Sequence, residues 1–352
     1  MSDFFQDIKV LICAGSGGVG KTTVAAALGV KAAQEGKKVL VLTIDPSKRL
    51  ASTLGIEGQD GITRVPGQHF KGELFASVIN HQKTFEDFVL RAATKSESAK
   101  KMLQNKLFQQ LSTNLEGSQD FTALEKLYSA YETNSFDLII LDTPPTKHAI
   151  DFLNSPQKLS ALFHENVTKW FRQPASESPG FLSAVFAAGT RKVLQILEAL
   201  TGSEFIQQLT EFFTIIEKWQ DQLYQRVVLV QKLLMSKETQ FCLVSNFDVA
   251  KLKESEFFQK EIRKAGFHLK YVILNRAFPD NMALDEIKDV APEFLSLAQK
   301  MSELRSFFHY REQVYAQFTE KMKTEAQILK IPDYRHHVMG LEDLEKIARR
   351  VR

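Results

Sequence analysis

The chain has 352 residues, of which 44% are hydrophobic and 10% aromatic, and its 45 basic and 42 acidic side chains leave a net charge of only +3. That length allows about two domains, or one large domain with an insertion, and supplies ample chain for a buried core. The interleaved charges argue against a dedicated nucleic-acid surface, and no run of about eighteen uninterrupted apolar residues provides a transmembrane segment.

The N-terminus, MSDFFQDIK, is acidic and lacks the basic-then-apolar order of a secretory signal, so a cytoplasmic protein is expected. The run KVLICA reads as a strand buried on both faces. A glycine-rich loop follows, then the Ala-rich helical stretch TTVAAALGVKAAQEG, stopped at Gly36. VLVLTID, ending at Asp45, is the next strand, and two strands joined through a helix imply a parallel sheet. Further strand-like runs are LFASVI, DLIILDT, TQFCLVSN and LKYVILNR. Their alternation with helical segments predicts an α/β fold with a mostly parallel sheet flanked by helices. Residues 82–132 and 152–236 carry helical spacing without a convincing strand, as in Phe205, Leu209, Phe212, Phe213, Ile216, Trp219 and Leu223. We expect them to form an α-helical subdomain inserted into a core made of residues 1–81, 133–151 and 237–352. Cys13 and Cys242 each lie inside an apolar run and read as buried thiols, with no CxxC or zinc-like spacing.

The segment Gly15-Ser16-Gly17-Gly18-Val19-Gly20-Lys21-Thr22, followed by Thr23, fits the pattern GxxxxGK[ST] between a predicted strand and a predicted helix. Glycines let successive backbone N–H groups converge on phosphate oxygens, and the helix N-terminus adds partial positive charge. Lys21 is placed to reach the β- and γ-phosphates, and the Thr22 hydroxyl to ligate Mg²⁺. The loop is therefore expected to bind a nucleoside triphosphate, in a P-loop NTPase fold. Asp142 ends the apolar strand DLIILD, where a carboxylate can help hold magnesium; otherwise it merely ends a strand. Asp45 ends the preceding strand, and Pro46 biases it towards an extended conformation. It is a candidate to orient the attacking water and approach the metal, or to cap the following helix. Lys21, Asp45 and Asp142 form the candidate catalytic set, with Thr22, Asp45 and Asp142 at the metal.

With SGGVGKTT, TIDPSKRL and DTPPTKHAIDFL in this order, the chain resembles the ArsA-type ATPases, which comprise the arsenite-pump ATPase and the ATPase escorting tail-anchored membrane proteins. VILNR near 275 and KIPDYRHHVMGLEDLEKI near the C-terminus are similar to the family's adenine-side segments, and NLEGSQDFTALEKLY is similar to a prokaryotic subgroup. The resemblance implies ATP and Mg²⁺ as cofactors, held at Gly17, Gly18, Gly20, Lys21, Thr22 and Thr23. It also implies contact of Asn275 with adenine, with Arg276 beside it and Pro332 lining the base pocket. It implies a dimer, either with a second copy or with a related ATPase, and a helical insert that serves a hydrophobic client helix or a membrane-associated partner. Read from the residues alone, NRAF offers no acidic residue where guanine would be recognised, which favours ATP over GTP.

The chain departs from the family pattern at Ser16, where the resemblance implies a lysine reaching across the dimer. A second cation on the transferring phosphoryl can be worth about 10³- to 10⁵-fold in rate, so hydrolysis is expected to be slow unless Lys48 or Arg49 supplies the charge. Metalloid transport fits poorly, because both cysteines lie within predicted strands. His336 and His337 read more readily as solvated than as ligands. Within 152–236, Phe163, Trp170, Phe171, Phe181, Phe186, Phe205, Phe212 and Phe213 either fill a core or line a groove, with Ser178–Gly189 as its lip. Three functions follow: a nucleotide-driven switch, a metabolic phosphotransferase, or a nucleotide-bound scaffold with little hydrolysis.

Overall fold

The computed structural model describes residues 4–44, 49–59, 61–92, 97–106, 108, 109, 118–143, 152, 155, 203–277, 295–333, 338 and 340–351. In chain order these form β1 (Val10–Gly15), α1 (Lys21–Gln34), β2 (Lys38–Thr43), α2 (Arg49–Leu54), β3 (Thr63–Arg64), β4 (Glu73–Val78), α3 (His81–Ala92) and α4 (Glu97–Gln104). They continue with α5 (Ser118–Glu132), β5 (Leu138–Asp142), α6 (Ser203–Leu234), β6 (Thr239–Ser245), α7 (Val249–Lys264), β7 (Leu269–Ala277), α8 (Leu295–Met322), β8 (Gln327–Pro332) and α9 (Leu341–Ala348). The chain divides into two compact units: Met1–Val78 with Ala130–Ile150 and Leu234–Arg352, and Ile79–Ser129 with Asp151–Leu233.

In the first unit the strands form one sheet in the order β3-β4-β2-β5-β1-β6-β7-β8. Every pairing is parallel except β3 with β4. The central strands are apolar and buried along their whole length, as a sheet covered on both faces requires. On one face α1 packs against the sheet and α9, and on the other α7 contacts β6, β7 and α8. Helix α1 carries buried residues all round, from Val24 to Ala33, because it lies between the sheet and α9. It ends in a Gly36 turn at φ 97°, where Gly36 donates to Ala33 O and Lys37 to Ala32 O. Helix α7 is capped by Asp248, whose carboxylate accepts from the Ala250 and Lys251 amides at 2.9 and 3.2 Å.

The sheet is larger than the sequence reading, which has no strand at 63–64 or 327–332. Both β3 and β8 lie at the sheet's edges and are only partly buried, so neither shows the continuous apolar run of its neighbours.

The second unit is helical among the described residues. Its core joins Phe85, Phe88, Met102, Phe108 and Phe121 to Ile216, Trp219 and Leu223 of α6. Phe88 and Phe121 meet edge to face with centroids 5.0 Å apart, and Phe85 stacks on Phe108 at 5.2 Å. Phe205, Phe212 and Phe213 are half-buried. Phe163, Trp170, Phe171, Phe181, Phe186 and the Ser178–Gly189 stretch lie outside the described residues. Inside this unit Glu125 is 1% exposed and accepts from Arg226 at 2.9 and 3.0 Å, while Arg226 also covers the Tyr128 ring.

Candidate nucleotide-binding site

Strand β1 delivers the glycine-rich loop at its carboxyl end, in the middle of the sheet, and α1 begins directly after it. In open α/β sheets this edge is where ligands bind. Gly15 passes so close to β6 that an added Cβ would stand 2.1 Å from Val244 O. Gly20, the residue before α1, has φ 87°, and an added Cβ would stand 2.4 Å from Asn275 Nδ2. Gly17 and Gly18 are exposed at the tip, whereas the Val19 side chain is fully buried in the core and anchors the loop from below.

The polar groups converge on two centres. Lys21 Nζ donates to Ser16 O at 3.0 Å. Asp142 Oδ2 accepts from Thr22 Oγ1 at 2.7 Å and from Thr43 Oγ1 at 2.9 Å. Asp142 is 1% exposed, and both of these hydroxyls donate to the same carboxylate oxygen. Sheet register explains the convergence, because Asp142 lies opposite Thr43 on β2 and opposite Cys13 on β1. Thr143 fixes the end of β5 by donating its amide and hydroxyl to Cys13 O at 3.2 and 2.9 Å. Cys13 in turn pairs in register with Cys242, and both thiols are free and buried. The Cys13 thiol is held well above its ordinary pKa, first by its hydrogen bond with Cys242, then by burial, and then by the nearby Cys242 and Asp142 charges, with Lys21 opposing.

Ser16 is 1% exposed, and its hydroxyl has no hydrogen-bond partner among the described residues. The Ser16 side chain is therefore turned away from solvent. Asn275, at the end of β7, donates from Nδ2 to Val19 O at 2.8 Å and so bridges β7 to the phosphate loop. Arg276 follows at φ 55°, exposed, at a register irregularity between Asn275 and Ala277. Pro332 pairs with Ala277 and is half-buried.

Gly15 to Thr23, Asp142 and Asn275 thus meet at one edge of the sheet, and Arg276 and Pro332 stand at neighbouring strand ends. Asp45, Lys48, His336, His337 and most of the segment after Thr143 lie outside the described residues, as does the side chain of Arg49. Thr43 escaped the sequence reading, although its position as the last residue of β2 puts it level with Asp142. The donor set fits a phosphate chain and a small divalent cation: a glycine cradle, an ammonium, and hard oxygens from Thr22 and Asp142.

A family model described as "Anion-transporting ATPase" matches residues 8–352. The chain is 24% identical over 351 residues to "Putative arsenical pump-driving ATPase 1" of Aquifex aeolicus, covering 97% of this chain and 78% of that protein. It is 23% identical over 346 residues to "Putative arsenical pump-driving ATPase 2" of the same organism, covering 97% and 98%. With "ATPase GET3B" of Arabidopsis thaliana it shares 26% identity over 291 residues, covering 77% of this chain and 64% of that one.

Proposed function

The chain belongs to the ArsA family of anion-transporting ATPases, and from that premise we propose that it is a slow, nucleotide-driven switch whose ATP hydrolysis opens and closes a dimer and its helical unit on a client or partner. As a member it is an ATPase that binds nucleotide; the roles of individual residues, the dimer and the client are our reading.

The observation that carries the reading is the convergence of Thr22, at the start of α1, and Thr43, at the end of β2, on one oxygen of Asp142. The two hydroxyls and the carboxylate lie where three chain segments leave the sheet, and two of those segments continue into the candidate switch stretches after Thr43 and Thr143. Lys21 would leave Ser16 O to meet phosphate oxygens, and the loop amides would share that charge. Thr22 and Asp142 would hold Mg²⁺, which when bound offsets the negative charge that builds on the phosphates. Asn275 would hold the loop at Val19 while facing the base. Asp45 is the candidate to orient the attacking water.

Ser16 supports the slow rate, because a buried hydroxyl supplies no cation to the transferring group. It also favours a second reading, a nucleotide-bound scaffold that hardly hydrolyses. Metalloid transport gains no support from Cys13, since a buried thiol held in its protonated form is a poor soft ligand.

The deciding experiment is ATP turnover as a function of protein concentration, with Lys21→Ala as background. The switch reading predicts specific activity that rises with concentration and disappears in Lys21→Ala. Turnover fixed at the Lys21→Ala level, with nucleotide still bound, would replace it with the scaffold reading.

A further inference from the structure

Helices α7 and α8 enclose a groove of about 690 Å³ at the sheet edge remote from the phosphate loop. Its place follows from topology: α7 ends at Lys264 just before β7, and α8 ends at Met322 just before β8, whereas the loop follows the opposite end of the parallel strand β1. The groove lies away from the glycine-rich loop, and six of its eight lining residues are charged.

Two ion pairs neutralise part of that lining: Arg263 with Glu325 at 2.7 Å, and Lys321 with Glu256 at 3.1 Å. Lys260 and Lys264, also in the lining, have no carboxylate partner among the described residues. The groove therefore carries an excess of two positive charges. Gln259 also lines the groove, and its amide, which makes no hydrogen bond among the described residues, is open to it. An amide open to the groove is available to hydrogen-bond a docked segment.

The rim adds an apolar element. Phe257 is 59% exposed, and Lys253, Phe257, Lys260 and Lys264 recur at spacings of four, three and four residues, which places them on one face of α7. Lys260 and Lys264 lie about 6 Å apart at 1.5 Å per residue, and Phe257 and Lys253 extend the stripe to about 16 Å, so an extended segment can meet all of it where one compact anion cannot. Spaced carboxylates around an apolar side chain suit this surface better.

We propose that the α7–α8 groove docks an acidic segment of a partner protein. Its carboxylates meet Lys260 and Lys264, an apolar side chain covers Phe257, and a backbone or carboxylate oxygen accepts from Gln259. The surface is separate from the nucleotide site.

The test is fluorescence anisotropy of a fluorescein-labelled peptide in which glutamates flank a central phenylalanine, titrated with the full chain. Binding is expected to saturate, and to weaken at least tenfold in Lys260→Glu/Lys264→Glu and several-fold in Phe257→Ala. Both variants should keep wild-type ATP turnover, since all three positions are exposed surface. Absence of saturable binding overturns the proposal, as does equal binding by the charge-reversed variant. Displacement of the peptide by inorganic phosphate, well beyond that by sodium chloride of equal ionic strength, also overturns it, because the groove would then be a small-anion site.

Discussion

The carbonyl of Val244 leaves no room for a side chain at position 15, where an added Cβ would stand 2.1 Å away against backbone that cannot swing aside. Gly15→Ala should therefore destabilise the chain by about 3 kcal/mol or more and abolish nucleotide binding, read from urea midpoints and from nucleotide titration. A second residue-scale prediction concerns Cys13. Its folded pKa lies above the unfolded value, so the folded state keeps a proton that the unfolded chain releases. The stabilisation is full below the unfolded thiol pKa of about 8.5 and is lost as pH rises through the folded value. Urea midpoints should fall between about pH 8 and 10, and Cys242→Ala, which removes the largest cause of the shift, should flatten that fall. At this scale the sequence revealed the glycines, Lys21, Thr22 and Asp142 as candidates, because phosphate chemistry demands those types at a fixed spacing. It could not reveal Thr43, whose partner Asp142 is reached only through the register of β2 on β5, nor the inward turn of the Ser16 side chain.

At the scale of elements, the second unit rests on a charge placed inside it. Glu125 is held by both Nε and Nη2 of Arg226, from α5 to α6, and Arg91 approaches to 3.8 Å. Arg226→Met would strand a carboxylate that is 1% exposed and should cost about 3 kcal/mol, whereas the paired change Arg226→Met/Glu125→Leu should recover much of that loss. Thermal or urea unfolding of the three proteins checks both outcomes. In the core unit, Asp248→Ala removes the acceptor for two α7 amides and should cost about 1 kcal/mol by the same measurement. The buried strands and α1 were legible because burial on all sides forces apolar composition. The edge strands were not: β8 alternates Ile328, Leu329, Lys330 and Ile331 with only partial burial, a pattern that one-dimensional reading cannot separate from a loop.

Across the whole molecule, the phosphate loop is built from distant parts of the chain. Strand β1 has only β5 and β6 as neighbours, at residues 138–142 and 239–245. Its own sequence neighbour β2 lies one place further out, beyond β5. A ribosome making about 5–20 residues per second would therefore expose the completed β1 for about 10–50 s before β6 leaves it. Throughout that interval an apolar strand and a glycine-rich loop have no partner on at least one side, and loop closure over more than two hundred residues must precede their burial. Ribosome-stalled chains ending before β6 should thus remain protease-sensitive across residues 10–34, and protection should appear once β6 has cleared the exit tunnel. The segment that reads most plainly as a nucleotide site should be among the last to become one, and a newborn chain should neither hold nor hydrolyse ATP there until most of its length exists.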